Sequence, residues 1–347
     1  MVPHLTFEEI SSEDSFNPLL IDPSSPFTQG YFYGDWQKSL GRTVKRFLIK
    51  SNNDVLCSLQ LIKYPLLRGK NYLYAPYGPV MKEFSAELLA SLRQKLGALA
   101  EEENAIFVRL DFTPAPNEAQ QALIEKFFNR SPFCTYRSPY FQPRTEWILD
   151  LKKSETDLPK EMNPKTRYGI KAAEKRGIKI EIIDRGILKY FDDFYALMEE
   201  TAARNKFGLH PKEYYKNIFA NSEGRKDAYL VVSRYKGRIL VVDFMLLFGT
   251  TANYVFSGSS SEHRNLMPSY LAQWEAIRHA KKLGCAEYNF GGISGGIDVR
   301  KEWEGLTFFK TRFGGEARAH SNFYDIVADP LWYHLYSFRK FVKKIIL

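Results

Sequence analysis

Each half of this chain runs through the same succession of signals, and that repetition limits the fold most. Period-two apolar runs joined by a tight polar turn come first, then a long segment of 3.6-residue periodicity, then a short apolar run. In the first half Val44–Ile49 and Val55–Ile62 are strand candidates, and the Ser51–Asp54 cluster is the turn between them. Tyr72–Tyr74 adds a third run before the turn-rich Ala75–Pro79. Ser85–Glu102 carries Leu88, Leu89, Leu92, Leu96 and Leu99 at helical spacing, and Ala105–Leu110 is a strand ending at Asp111. Glu118–Phe128 is a further helix. In the second half Ala228–Tyr235 and Arg238–Phe248 form a hairpin around Lys236-Gly237, and Thr251–Ser257 is the next strand. Glu262–Leu283 has Leu266, Tyr270, Leu271, Trp274 and Ile277 on one helical face, closed by Gly284. Glu287–Phe290 is the strand that follows. Trp147–Leu151 and Ile178–Ile183 are strands, and Lys165–Arg176 and Leu188–Asn205 are helices.

Hairpins followed by one helical crossover give α+β architecture with mixed sheets rather than a βαβαβ series. At roughly 150 residues per domain, 347 residues suggest two domains. Hydrophobic residues make up 44% of the chain and charged residues 26%, so two packed cores are expected rather than global disorder. The three cysteines, Cys57, Cys134 and Cys285, show no ligand or redox spacing, which points to buried thiols in a reducing compartment. The first residues are acidic where a secretory leader would be basic, and no apolar run of about 18 residues occurs. A cytoplasmic protein is therefore expected. The six histidines lack HxxxH or HxH spacing, so no metal site is expected. The net charge of +9 favours polyanionic partners: nucleic acid, nucleotide sugars or anionic lipid head groups.

Four segments, in order and spanning nearly the whole chain, resemble the FemA/FemB/FemX family of peptidoglycan bridge-forming transferases. They are QGYFYGDWQK at Gln29–Lys38; YAPYGPVM at Tyr74–Met81 with FVRLD at Phe107–Asp111; PKTRYGIKAAEKRGIKI at Pro164–Ile180; and the run Phe256–Glu316, which contains YNFGGISGG and GLTFFKTRFGGE. The resemblance implies two domains of the GNAT acyltransferase type, residues 1–146 completed by 321–347, and residues 147–320. The first would bind the acceptor precursor and the second would take the aminoacyl-tRNA side. No sustained heptads occur, so the short FemX-like form without a helical-hairpin arm is implied, with a monomer as the default.

The reaction implied is transfer of an amino acid, glycine, alanine or serine, from aminoacyl-tRNA to a side-chain amine of the stem peptide. The acceptor is UDP-MurNAc-pentapeptide or lipid II, and no cofactor is needed. Lys38 matches the family position that contacts the diphosphate; its alternative is a solvated surface lysine. The second phosphate-binding arginine of FemX-like members falls near His210, which departs from the pattern, and Arg204 is the substitute that the neighbourhood offers. Tyr74, Tyr77 and Phe256 fall in the matched segments that line the substrate cleft. Asp111 matches an acidic residue that positions the attacking amine or takes its proton; pairing with Arg109 is its structural alternative. Lys310 matches a lysine beside the tRNA acceptor end, suited to an oxyanion or the terminal phosphate, and Phe309 would stack on the terminal adenine. For these last two the alternative is a strand of alternating core and surface residues. Lys165 and Arg167 on a basic helix, with Arg312, suit RNA phosphates, or else form a solvated face.

Two other readings stay open. Arg312–Ala317 fits the letters of an acetyl-CoA pyrophosphate loop, which needs a helix directly after it; that would make the chain an acetyltransferase. A non-catalytic relative that only binds precursors is the other. The C-terminal helix Leu331–Leu347 has Leu331, Leu335, Phe338, Val342 and Ile345 on one face. That face either packs on the body or rests near anionic lipid.

Overall fold

The computed structural model describes residues 5–131, 142–296 and 299–346, so Cys134 lies outside it. The chain divides into two compact units, Met1–Arg144 with Ala319–Leu347, and Thr145–Arg318. The first unit opens with β1 (Leu5–Glu9), α1 (Tyr31–Ser39), β2 (Val44–Ser51), β3 (Asp54–Pro65), β4 (Asn71–Ala75) and β5 (Val80–Met81). It continues with α2 (Ala86–Glu102), β6 (Ala105–Leu110), α3 (Glu118–Ile124) and β7 (Asn129–Arg130). The alternating runs pair as the sequence predicts, with Val44 opposite Ile62 and Ser51 opposite Asp54. The Ser85 hydroxyl accepts the Leu88 N–H at 3.2 Å and starts α2, a cap that contributes about 1 kcal/mol. The leucines of α2 are buried with Leu73, Val108 and Ile326. This crossover lets β6 run parallel to β4, from Asn71 beside Ala105 to Ala75 beside Leu110.

The second unit holds β8 (Thr145–Asp150), α4 (Leu158–Glu161), α5 (Pro164–Lys175), β9 (Lys179–Ile183), α6 (Phe191–Asn205), α7 (Lys212–Ser222) and β10 (Ala228–Tyr235). After these come β11 (Arg238–Phe248), β12 (Thr251–Ser259), α8 (Pro268–Lys282), β13 (Glu287–Gly292), α9 (Glu304–Lys310) and β14 (Glu316–Ala319). Among the described residues its sheet has the order β14-β8-β13-β12-β11-β10-β9. Again an antiparallel meander, β10-β11-β12, leads through a long helix to a parallel strand, with Thr251 beside Glu287. Both sheets are mixed, as expected. The chain then returns to the first unit as β15 (Tyr324–Val327), antiparallel to β6, and α10 (Pro330–Ile346). Among the described residues the first sheet has the order β1-β2-β3-β4-β6-β15-β7, with β5 on β3.

Four differences from the sequence reading have physical causes. The helix expected from Glu262 begins at Pro268, because His263 and Met267 adopt positive φ and Pro268 supplies a first helical residue that needs no N–H partner. The helix α7 went unpredicted, although Tyr215, Ile218, Phe219 and Ser222 have helical spacing and are buried. The segment holding Phe309 and Lys310 is helical, which removes the strand alternative. Finally, α10 packs on the body through Tyr333 and Ser337. Of the two outcomes open for the Leu331, Leu335 and Phe338 face, packing on the body is not the one observed, because that face is exposed.

Candidate active-site residues in the two units

Asp111 follows the last residue of β6 and is buried. Its carboxylate accepts the Tyr77 N–H at 2.6 Å, the Tyr74 hydroxyl at 3.1 Å and Arg144 Nη1 at 3.2 Å. The Asp111 N–H in turn donates to the Gly78 carbonyl at 2.9 Å. Burial pushes the carboxyl up to about 7, against the pull of the Arg144 guanidinium and these hydrogen bonds. The structure thus brings Asp111, Tyr74 and Tyr77 together. Tyr77 holds positive φ at 54°, donates its hydroxyl to the Pro143 carbonyl at 2.7 Å and stacks on His320 at 3.9 Å. The partner of Asp111 is Arg144, not Arg109. Arg109 instead grips Asp325 through Nε at 2.7 Å and Nη2 at 2.6 Å, and Tyr333 donates to the same carboxylate.

The QGYFYG segment owes its letters largely to packing. The Gln29 amide donates to the carbonyls of Gln60 and Pro76, and the Gln60 amide donates to those of Thr28 and Gly30. Arg46 joins Gln60 to Asp35. A Cβ on Gly34 would lie 2.2 Å from Gln60 Oε1, and one on Gly78 2.4 Å from Gln29 Cδ, so both positions exclude side chains. Lys38, near the end of α1, is exposed, with its amine 3.7 Å from Asp35.

In the second unit β12 and β13 pair only as far as Asn253 and Asn289. Beyond that point β12 continues against β11 and β13 continues against β8. The two strands diverge, and their facing backbone groups are released from the parallel ladder. Lys310, the last residue of α9, is buried here, and its amine donates to the Gly292 carbonyl at 2.8 Å. The site of a Cβ on Gly291 is 3.6 Å from both that amine and the Tyr254 carbonyl, which sets Lys310 in the splay. Burial pushes the amine down to about 7, with Glu146 drawing it back up. An anion bound in the splay would restore its positive charge.

Phe309 turns toward the core, with ring centroids 5.3 Å from both Tyr270 and Phe313. The ring offered to solvent is that of its neighbour Phe308, 57% exposed, under the Arg312 guanidinium at 3.7 Å. Arg312 also donates to the Asn163 side chain at 3.2 Å, which links α9 to the start of α5. Lys165 in the first turn of α5 is exposed, whereas Arg167 donates to the Pro159 and Met162 carbonyls. Arg312–Ala317 leads into β14 rather than a helix, so it is not the phosphate loop of an acetyl-CoA site.

His210 and Phe256 meet in one aromatic cluster. The His210 ring stacks on Tyr214 at 4.1 Å, and Phe256 packs edge-on against Tyr215 at 5.2 Å. Arg204 is separate from that cluster and is bound by neutral oxygens, Ser259 O at 3.0 Å, Ser259 Oγ at 2.7 Å and Ser261 Oγ at 3.0 Å. The sequence reading missed Arg144, Asp325 and Asp243. Asp243 is buried on β11, takes the Gln273 amide at 2.9 Å, and is pushed up to about 7 by burial. Its signal is a lone carboxylate inside an apolar strand run; Arg144 stands in no such run.

The FemAB family profile matches residues 22–236 and 225–340. A lipid II:glycine glycyltransferase of Staphylococcus epidermidis is 22% identical over 380 residues, covering 90% of each chain. The crystal structure of FemX superposes with a TM-score of 0.81 at 20% identity, over 94% of this chain and 99% of that one. A tandem GNAT protein from the clavulanic acid biosynthesis pathway has a TM-score of 0.50 at 12% identity, over 94% and 99%. The profile spans nearly all of the chain that carries the two sites, and the protein belongs to the FemAB family of tRNA-dependent aminoacyltransferases that build peptidoglycan bridges.

Proposed function

We propose that this enzyme moves glycine, alanine or serine from the 3′ end of aminoacyl-tRNA to the side-chain amine of the stem peptide, on UDP-MurNAc-pentapeptide or lipid II. The amine nitrogen attacks the ester carbonyl, an amide C–N bond forms, and the ribose C–O bond breaks. The ribose oxygen leaves with the proton that the amine gives up. The observation that carries this reading is the buried Lys310 amine in the β12–β13 splay, held by a single carbonyl. A tetrahedral oxyanion or the terminal phosphate of the tRNA supplies the negative charge that this amine lacks, and its protonation stabilises either one.

Asp111 acts on the acceptor side. A lysine-like amine is mostly protonated at neutral pH, and a carboxyl poised at about 7 is matched to receiving its proton, directly or through water. Tyr74 and Tyr77 fix that carboxylate. Lys38 contacts the precursor diphosphate. In the second unit Arg204, whose hydrogen bonds go to neutral oxygens, offers a cation for phosphate, and His210 and Phe256 offer an aromatic surface. On the tRNA side, Phe308 beneath Arg312 is better exposed than Phe309 to stack on the terminal adenine, and Lys165 and Arg312 face RNA phosphate; Arg167 supports the turn before α5. Aminoacyl-tRNA and a lipid-linked or nucleotide-linked precursor meet in the cytoplasm, at the inner face of the membrane.

The test is transfer by purified protein from tRNA charged with labelled glycine, alanine or serine, offered each acceptor separately. Label in the acceptor that is lost on prior RNase treatment names both substrates. Failure with every donor and acceptor, together with acetylation of any amine by acetyl-CoA, would overturn the proposal.

A further inference from the structure

We infer that the exposed apolar edge of α10 docks this protein on an anionic lipid bilayer. The helix has two unlike faces. One is seated on the first unit: Tyr333 donates its hydroxyl to Asp325 at 2.7 Å, and the Tyr336 ring lies 5.3 Å from that of Phe107. The other carries Leu331, Leu335 and Phe338, which are 69%, 51% and 67% exposed. Spacings of four and three residues align them in one stripe, and the same spacing continues in sequence to Val342 and Ile345. Single exposed apolar residues are ordinary, but a contiguous stripe of large ones marks a surface built to be covered.

Charge selects what covers it. Residues 330–347 contain Arg339, Lys340, Lys343 and Lys344 and no aspartate or glutamate. The β3–β4 loop lies beside the start of the helix, since Lys70 is 3.0 Å from Asp329 and 6.0 Å from the Trp332 ring centroid. That loop adds Leu67, 61% exposed, and the exposed Arg68. Apolar side chains flanked by cations match the acyl boundary and head groups of an anionic leaflet. A second copy of the chain would set like charges against each other across a two-fold axis, and nucleic acid has no use for the leucines. The helix has 17 residues, and no helix among the described residues is long and apolar enough to cross a membrane. The helix therefore lies in the plane of the interface. The inference does not depend on which precursor the enzyme uses.

Flotation of the full chain with vesicles tests it. Binding is expected to vesicles containing about a third phosphatidylglycerol and not to pure phosphatidylcholine, and to weaken as salt rises from about 50 to about 500 mM. A variant with Leu331→Ser, Leu335→Ser and Phe338→Ser should float at least about tenfold less while melting close to the parent, because these side chains are more than half exposed. A variant with Lys343→Gln and Lys344→Gln should lose about fivefold per charge on anionic vesicles only. Absence of the parent from anionic vesicles, or flotation of both variants at the parental level, would overturn the inference. So would a parental dimer that the triple serine variant converts to monomer, because the stripe would then be covered by a second copy.

Discussion

The two units use the same connection, a meander, a long helix and a parallel strand, yet they finish it differently. In the first, β4 and β6 stay paired to their ends, Ala75 beside Leu110, and Asp111 continues the contact to Gly78. In the second, β12 and β13 part after Asn253 and Asn289. The buried charges follow suit. Asp111 has three donors, one of them a guanidinium, while Lys310 has one carbonyl. The closed ladder holds the Asp111 carboxylate among three donors, so its loss should cost stability as well as the proton transfer proposed for it. The open ladder leaves the Lys310 amine with one carbonyl and the pull of Glu146, and it is to this amine that the proposed function gives the anion.

That contrast is most easily broken by Asp111→Ala. The substitution leaves Arg144 buried without its carboxylate and frees two further donors, so the first unit should lose about 3–5 kcal/mol in urea unfolding at pH 8. A loss below about 1 kcal/mol would mean that the carboxylate is not structural. Lys310→Met should behave oppositely. It removes an amine that burial disfavours, so stability should hold or rise by about 1 kcal/mol. Transfer should meanwhile fall about 10²–10³-fold in kcat; near-normal turnover would end the proposed role.

The pH dependence of stability separates the two groups by sign. The folded-state carboxyl of Asp111 lies near 7, above its unfolded value near 4. The native state therefore binds more protons across that window, and the stability that this group contributes falls as pH rises from about 4 to about 7. The Lys310 amine is depressed to about 7 from its ordinary 10.5. The unfolded chain then binds more protons between those values, and stability rises with pH across them. Asp111→Asn should lower the first slope, leaving the share of Asp243, which burial raises to the same value, and Lys310→Met should lower the second. A mutant that leaves its own window unchanged would remove that group from the account.

Elements with a strong period were legible in the sequence: the Val44–Ile62 hairpin, the leucines of α2, the β10–β11 hairpin. Their side chains alternate or recur because one face is buried, and burial is written locally. What the sequence could not disclose were partners. Arg109 and Asp325 stand 216 residues apart, and Arg144 and Asp111 stand 33 apart, separations that no local period records. The C-terminal helix shows the limit from another side. Its spacing correctly marks an apolar face, but periodicity cannot tell whether that face meets a core, and Tyr333 and Ser337 took the packed side. Lys310 and Phe309 came from resemblance alone; only the fold separates the partly buried Phe309 ring from the exposed one of Phe308.

Smaller effects sharpen the same comparison at the surface. Phe308→Ala should raise KM for charged tRNA about tenfold, in line with one lost base stack of about 1–3 kcal/mol, and leave acceptor KM alone. Lys38→Ala should do less. Its ion pair with Asp35 is exposed, and Asp35 keeps Arg46 at 2.9 Å when Lys38 is gone, so stability should change by less than about 0.5 kcal/mol. If Lys38 nonetheless binds the precursor diphosphate, acceptor KM should rise a few-fold with kcat and tRNA KM unchanged, and the rise should shrink at high salt. Equal KM for parent and variant at low salt would return Lys38 to the ordinary solvated surface and leave Arg204 to answer for the phosphate.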